Sequence, residues 1–129
     1  MLNELAIEIN KLVRDKGFWQ NMHDVNSFLE LHERSLNKNT IKATKDAFIA
    51  QKIALVGTEL SEAVEAMRKQ GYEDNGYGIG VKDSFADEIA DTIIRLLDLC
   101  GELEIDIDTQ IEWKMAHNRG RAEKHGKEF

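Results

Sequence analysis

Not one of the 129 residues is a proline. Proline breaks helices from within and sits in the turns of strand-rich folds, so a chain without it is free to run in long helices. Leu, Ala, Glu and Lys, which lose little on entering a helix, are abundant together with Ile, and the apolar residues recur at helical rather than strand intervals. The expectation is an all-α helical bundle of about five helices, a single domain over 1-129, long enough for one core and too short for two.

The intervals place the helices. Leu5, Ile9, Leu12 and Val13 share a face between Asn3, a cap, and Gly17, a stop. Phe18 to His23 has no period and reads as a loop or helix entrance. A second helix is expected from a cap at Asp24 to about Leu36; its thin apolar face also suits an arm that docks on a partner subunit. After a polar connector, Phe48, Ile53, Val56, Leu60, Ala63, Val64 and Met67 sustain a long helix from about Thr44 to Lys69, capped by Gly71. Gly57 inside it costs about 1 kcal/mol relative to Ala and points to close helix approach. Ser84 opens a fourth helix that Gly101 closes, and the last begins near Asp106 to Thr109. Trp113 and Cys100, each inside an apolar pattern, read as core.

Two of these helices carry paired acids. Glu59 and Glu62 stand three residues apart in one; Glu88 and Asp91 do so in the other. With Glu59 at zero on a helical wheel, Val56, Leu60, Ala63, Val64 and Met67 fall at about 40° to 140°, and Glu62 about 60° to the polar side. With Glu88 at zero, Phe85, Ile89, Thr92, Ile93, Leu96, Leu99 and Cys100 fall at about 20° to 140°, and Asp91 again about 60° to the polar side. Both helices put one acid at the edge of the apolar arc and a second beside it. If the helices pack together, four acids meet, which is tenable only with a cation or protons to compensate. Acids on the flank of an amphipathic helix are also common as plain surface charge, the reading given to Glu65, Glu73, Asp87 and Asp98. Oxygen-only ligation favours Mg²⁺, then Mn²⁺.

Other chemistries lack their patterns. A di-iron bundle needs Glu-x-x-His, and none of His23, His32, His117 and His125 follows a glutamate by three. The loop 71–83 is glycine-rich but lacks the Gly-Lys-Ser/Thr ending of a phosphate loop, and reads as a connector or lid. One cysteine and no CxxC pattern suit a reducing compartment. The start, Met1-Leu2-Asn3-Glu4, has an acid where a signal peptide is basic, and no apolar run reaches membrane-helix length, so a cytoplasmic location without membrane contact is expected. The net charge of −7 argues against binding a nucleic-acid polymer. Against that charge, Lys114, Asn118 and Arg121 recur along one face of the last helix. Such a face can hold phosphate oxygens, or can simply complement the helix dipole.

Glu59-Leu60-Ser61-Glu62, then Glu88-Ile89-Ala90-Asp91, then Lys114, Asn118, Arg121 and His125-Gly126-Lys127 resemble the MazG-like all-α nucleoside triphosphate pyrophosphohydrolases, relatives of dimeric dUTPases and phosphoribosyl-ATP pyrophosphohydrolases. The resemblance spans about Lys52 to Lys127. It implies a metal site between two central helices and hydrolysis of a nucleoside or deoxynucleoside triphosphate to monophosphate and pyrophosphate, in cleansing or regulating nucleotide pools. It implies Mg²⁺ held by Glu59, Glu62, Glu88 and Asp91, with Glu59 or Glu62 as general base. Lys114, Asn118, Arg121 and Lys127 would bind phosphates, and the chain would form a homodimer or a dimer of dimers. Trp19 is the candidate for stacking on the base, with Gln20 and Asn21 at its polar edge; Trp19 equally suits an anchor in the core. The alternative function is a catalytically silent helical nucleotide-binding or interaction module.

Overall fold

The computed structural model describes residues 1–72 and 79–121, and these form five helices and no strand: α1 (Leu2–Asp15), α2 (Gln20–Leu31), α3 (Lys38–Gln70), α4 (Phe85–Glu102) and α5 (Ile107–Arg119). None of the described helices is long and apolar enough to cross a membrane. α3 is the longest at 33 residues, about 50 Å of helix. It starts earlier than its apolar pattern does, because the Asn37 side chain accepts the Asn39 N–H at 2.8 Å and so nucleates the first turn. It stops at Gly71, whose φ of +76° is cheap only for glycine.

Several caps differ from the sequence expectation. α2 begins at Gln20, so Asp24 lies one turn inside it and accepts from the Gln20 amide instead of capping. Asn3 does not cap its own helix. Its side-chain carbonyl accepts the N–H groups of Ile107 and Asp108, while the Asp108 carboxylate accepts those of Leu2 and Asn3. α1 and α5 thus cap each other, each filling the other's unsatisfied first-turn donors.

α4 lies between α1 and α3 and runs antiparallel to both: Gly101 faces Ala6 and Asp98 faces Asn10 on α1, while Arg95 bonds Glu59 and Glu88 shares a cleft with Glu62 and Ala66 on α3. The close approach falls at Gly101, not Gly57. A methyl group at Gly101 would lie 2.5 Å from the Ala6 carbonyl oxygen and 2.7 Å from Asn10 Cβ, whereas one at Gly57 would meet nothing within 4 Å among the described residues. Gly101 therefore does not close α4, which continues to Glu102. Nearby, the Glu102 carboxylate takes hydrogen bonds from Arg14 at 2.8 Å and Asn10 at 3.0 Å and pairs with His23 at 2.6 Å. Burial alone would raise the Glu102 carboxyl; these partners outweigh it and hold the group below its usual range.

The core is thin. Trp19, Met22 and Leu99 form its buried centre, with Val13, Phe48 and Ile49 packed against them. Cys100 is half-buried, and burial pushes its thiol up. Trp113 is not core: it is 62% exposed, on a helix with no buried residue at all. Part of each apolar arc is also left open, Leu60, Val64 and Met67 on α3 and Ile93 and Leu96 on α4.

Candidate functional site

The antiparallel packing of α3 on α4 buries one acid of each pair, Glu59 and Glu88, within the contact, and leaves Glu62 and Asp91 exposed beside it. Because part of each apolar arc is unpacked, the buried strip on α3 is Val56, Glu59, Ala63 and Ala66, and the strip on α4 includes Glu88 and Thr92. Glu59 and Glu88 are 7% and 5% exposed. One carboxylate oxygen from each of Glu59, Glu88 and Asp91 lies within 4.8 Å of the others. Glu62 is not in this triple. It is exposed on the next turn of α3, where it lines a cleft with Glu65, Lys69, Asp83 and Glu88. Asp83 and Asp87 make a second such triple with Glu88, an acid that the two groups share.

The acids are not equivalent electrostatically. Glu59 is paired, accepting the Arg95 Nε–H at 2.5 Å. The Glu88 carboxylate accepts no hydrogen bond among the described residues, although the Glu88 backbone carbonyl accepts the Thr92 hydroxyl at 2.9 Å. Desolvation first, then the charges of Glu62, Asp91 and Glu59, push its carboxyl above the usual range. Asp91 is raised too, by desolvation and then by Glu59 and Asp87, with Arg95 and Lys82 pulling it back.

A buried, unpartnered carboxylate amid like charges is what a cation relieves. An all-oxygen donor set of acids suits a hard divalent ion such as Mg²⁺ or Mn²⁺, so the residues present fit the implied metal.

Beside the acids a cavity of about 260 Å³ runs between α1, α3 and α4, lined by Phe18, Trp19, Lys52, Asp91, Arg95 and Asp98 among others. Trp19 is 1% exposed, donates its indole N–H to Asp98, and has Lys52 Nζ 4.2 Å from its ring centre. It reaches the cavity as part of the core, with one face already covered. Gln20 and Asn21 are exposed and do not line this cavity, the Gln20 amide being bound to Asp24.

Lys114, Asn118 and Arg121 are exposed on and just beyond α5, which starts at the α1 N-terminus, the end of the bundle away from the acids. None of the three lines the cavity or the cleft beside the acid triple. Lys127 lies outside the described residues.

Sequence reasoning missed Arg95, Lys52 and Asp98. Arg95 was findable: on the wheel it lies only about 20° from Glu88, on the acid-bearing side. Asp98, read as surface charge, is 8% exposed and accepts from Trp19 and Asn10. Comparison of the chain with protein families, with curated proteins and with solved structures finds no match.

Proposed function

We propose that this chain is a MazG-like, Mg²⁺-dependent pyrophosphohydrolase that converts a nucleoside or deoxynucleoside triphosphate to the monophosphate and pyrophosphate. The observation that carries the reading is the convergence of Glu59, Glu88 and Asp91 within 4.8 Å, with Glu88 buried and unpartnered among the described residues. Paired acids on packed helices have a use when phosphate charge must be met by metal.

When bound, Mg²⁺ supplies charge neutralisation for the phosphates and a lowered pKa for coordinated water. The chain's own residues do the rest. Glu59, Glu88 and Asp91 hold the ion. Glu62, exposed one turn away and with no ion pair among the described residues, takes the proton of the attacking water. Glu59 suits that role less, being tied to Arg95.

The phosphate-binding face of Lys114, Asn118 and Arg121 is supplied by a second copy in a homodimer or dimer of dimers. The open apolar residues Leu60, Val64, Met67, Ile93 and Leu96, alongside the acids, give that copy a surface to cover.

The test is a panel of ribo- and deoxyribonucleoside triphosphates with Mg²⁺, followed by product analysis. Monophosphate and pyrophosphate from at least one of them is expected; their absence from the whole panel, in a folded sample, ends the proposal.

A further inference from the structure

We propose that Arg95 occupies two positions in turn: counter-ion to Glu59 while the acids hold no divalent cation, and ligand to substrate phosphate oxygens once they do. The inference rests on the reading of the acids as a cation centre for a triphosphate.

A carboxylate as buried as Glu59, whose side chain is 9% exposed, needs a compensating charge, and Arg95 provides it at 2.5 Å. The carboxylates of Glu88 and Asp91, the other members of the triple, accept no hydrogen bond among the described residues, so one guanidinium, helped only by the charge of Lys82 on Asp91, stands against three acids. A divalent ion entering the triple brings a larger positive charge to the oxygens that Arg95 holds. The two cations repel, and the ion, which satisfies all three acids, displaces the guanidinium.

Arg95 then has somewhere to go. Its side chain is 43% exposed and lines the cavity next to Asp91. A guanidinium has five N–H donors, and only Nε–H is engaged with the described residues. The remaining fork matches the spacing of phosphate oxygens. Lys52, the other cation lining the cavity, is held by the Phe18 carbonyl at 2.9 Å and by the Trp19 ring, which leaves Arg95 as the releasable one. The same residue thus opposes the metal and favours the phosphate.

These effects have opposite signs, and the experiment reads both. Mn²⁺ binding to the full chain without nucleotide is measured by electron paramagnetic resonance. Binding of a non-hydrolysable α,β-imido triphosphate at saturating Mg²⁺ is measured by calorimetry. The proteins are the parent, Arg95→Gln and Arg95→Lys, each checked for helicity by circular dichroism. Arg95→Gln is expected to bind Mn²⁺ several-fold more tightly and the analogue about tenfold or more weakly, the loss of hydrogen bonds to a charged group. Arg95→Lys keeps the charge and parent-like Mn²⁺ affinity but loses most of the analogue affinity, because an ammonium has no fork.

Weaker or unchanged Mn²⁺ binding in Arg95→Gln makes Arg95 a fixed partner that orients Glu59, and overturns the proposal. Parent-like behaviour of Arg95→Lys in both measurements reduces Arg95 to a point charge and overturns it as well. A parent that binds neither Mn²⁺ nor the analogue removes the functional reading itself, whereas a parent that binds both, with Arg95→Gln indistinguishable from it, removes only the role of Arg95.

Discussion

Trp19 donates its indole N–H to both carboxylate oxygens of Asp98, at 3.0 and 3.1 Å, joining the α1–α2 link to the C-terminal part of α4. Trp19→Phe keeps the ring in the core but leaves the buried Asp98 short of a donor, at a cost of about 1–3 kcal/mol. Trp19→Ala also opens a cavity and is expected to cost about 3–5 kcal/mol. Urea unfolding of both variants checks the order; a Trp19→Phe protein as stable as the parent contradicts it.

Gly101 and Gly57 should respond oppositely to alanine. At Gly101 the new methyl meets the α1 backbone at 2.5 Å, and neither helix can yield without moving the other, so a loss of about 1–3 kcal/mol is expected. At Gly57 the space is open and the helix gains up to about 1 kcal/mol. Thermal unfolding of the pair decides the matter, and a destabilised Gly57→Ala would place a close contact where the described residues make none.

Glu88 sets a pH dependence whose sign follows from its raised carboxyl. A group with a higher pKa folded than unfolded binds more protons in the native state. Its contribution therefore favours folding at low pH and turns unfavourable as pH rises from the unfolded value through the folded one. Without metal, Glu88→Gln is expected to be more stable than the parent near neutral pH and to lose that advantage toward about pH 4, the ordinary carboxylate range. Unfolding curves in a chelator across this range measure the difference, and an advantage that grows on acidification refutes it.

Added Mg²⁺ or Mn²⁺ should reverse that comparison. A cation binding only the folded chain stabilises it by about 2.7 kcal/mol at a hundred times its Kd. The parent melting temperature is expected to climb with cation, and that of Glu88→Gln to stay nearly flat. An equal rise in both proteins would put the ion somewhere else.

Two damaged chains should repair each other. Glu88→Gln with Asp91→Asn removes the acids; Lys114→Ala with Arg121→Ala removes the basic face. Each protein is expected to be nearly inactive alone. Mixed under conditions of subunit exchange, half of the dimers are hybrids with one intact site of two, giving roughly a quarter of parental turnover. No recovery, with hybrids demonstrated by mass, shows that the basic face does not act across the interface.

The helices and the acid pairs were legible because both are written in local periodicity. Helix starts were less so. Asn3 looks like a cap for α1 and serves α5, because a side chain about a hundred positions away supplies the complementary cap. Asp98 shows the same blindness: one acid among many on a charged helix, it is distinguished only by Trp19 and Asn10, both contributed from α1 and its exit. The wheels placed Glu59 and Glu88 at an apolar edge, and the structure places them within the α3–α4 contact, since periodicity shows which residues are apolar but not which part of the arc this chain fills itself.

The two tryptophans stand at opposite extremes of exposure, 1% for Trp19 and 62% for Trp113. Acrylamide will quench Trp113 first and leave a blue-shifted emission from an indole that lines the cavity beside the acids. Lys52 sits over that ring, and Arg95 lines the same cavity wall. The chain thus carries an optical reporter of its own candidate site, readable without label in Trp113→Phe, where filling the cavity registers as a change in one fluorophore.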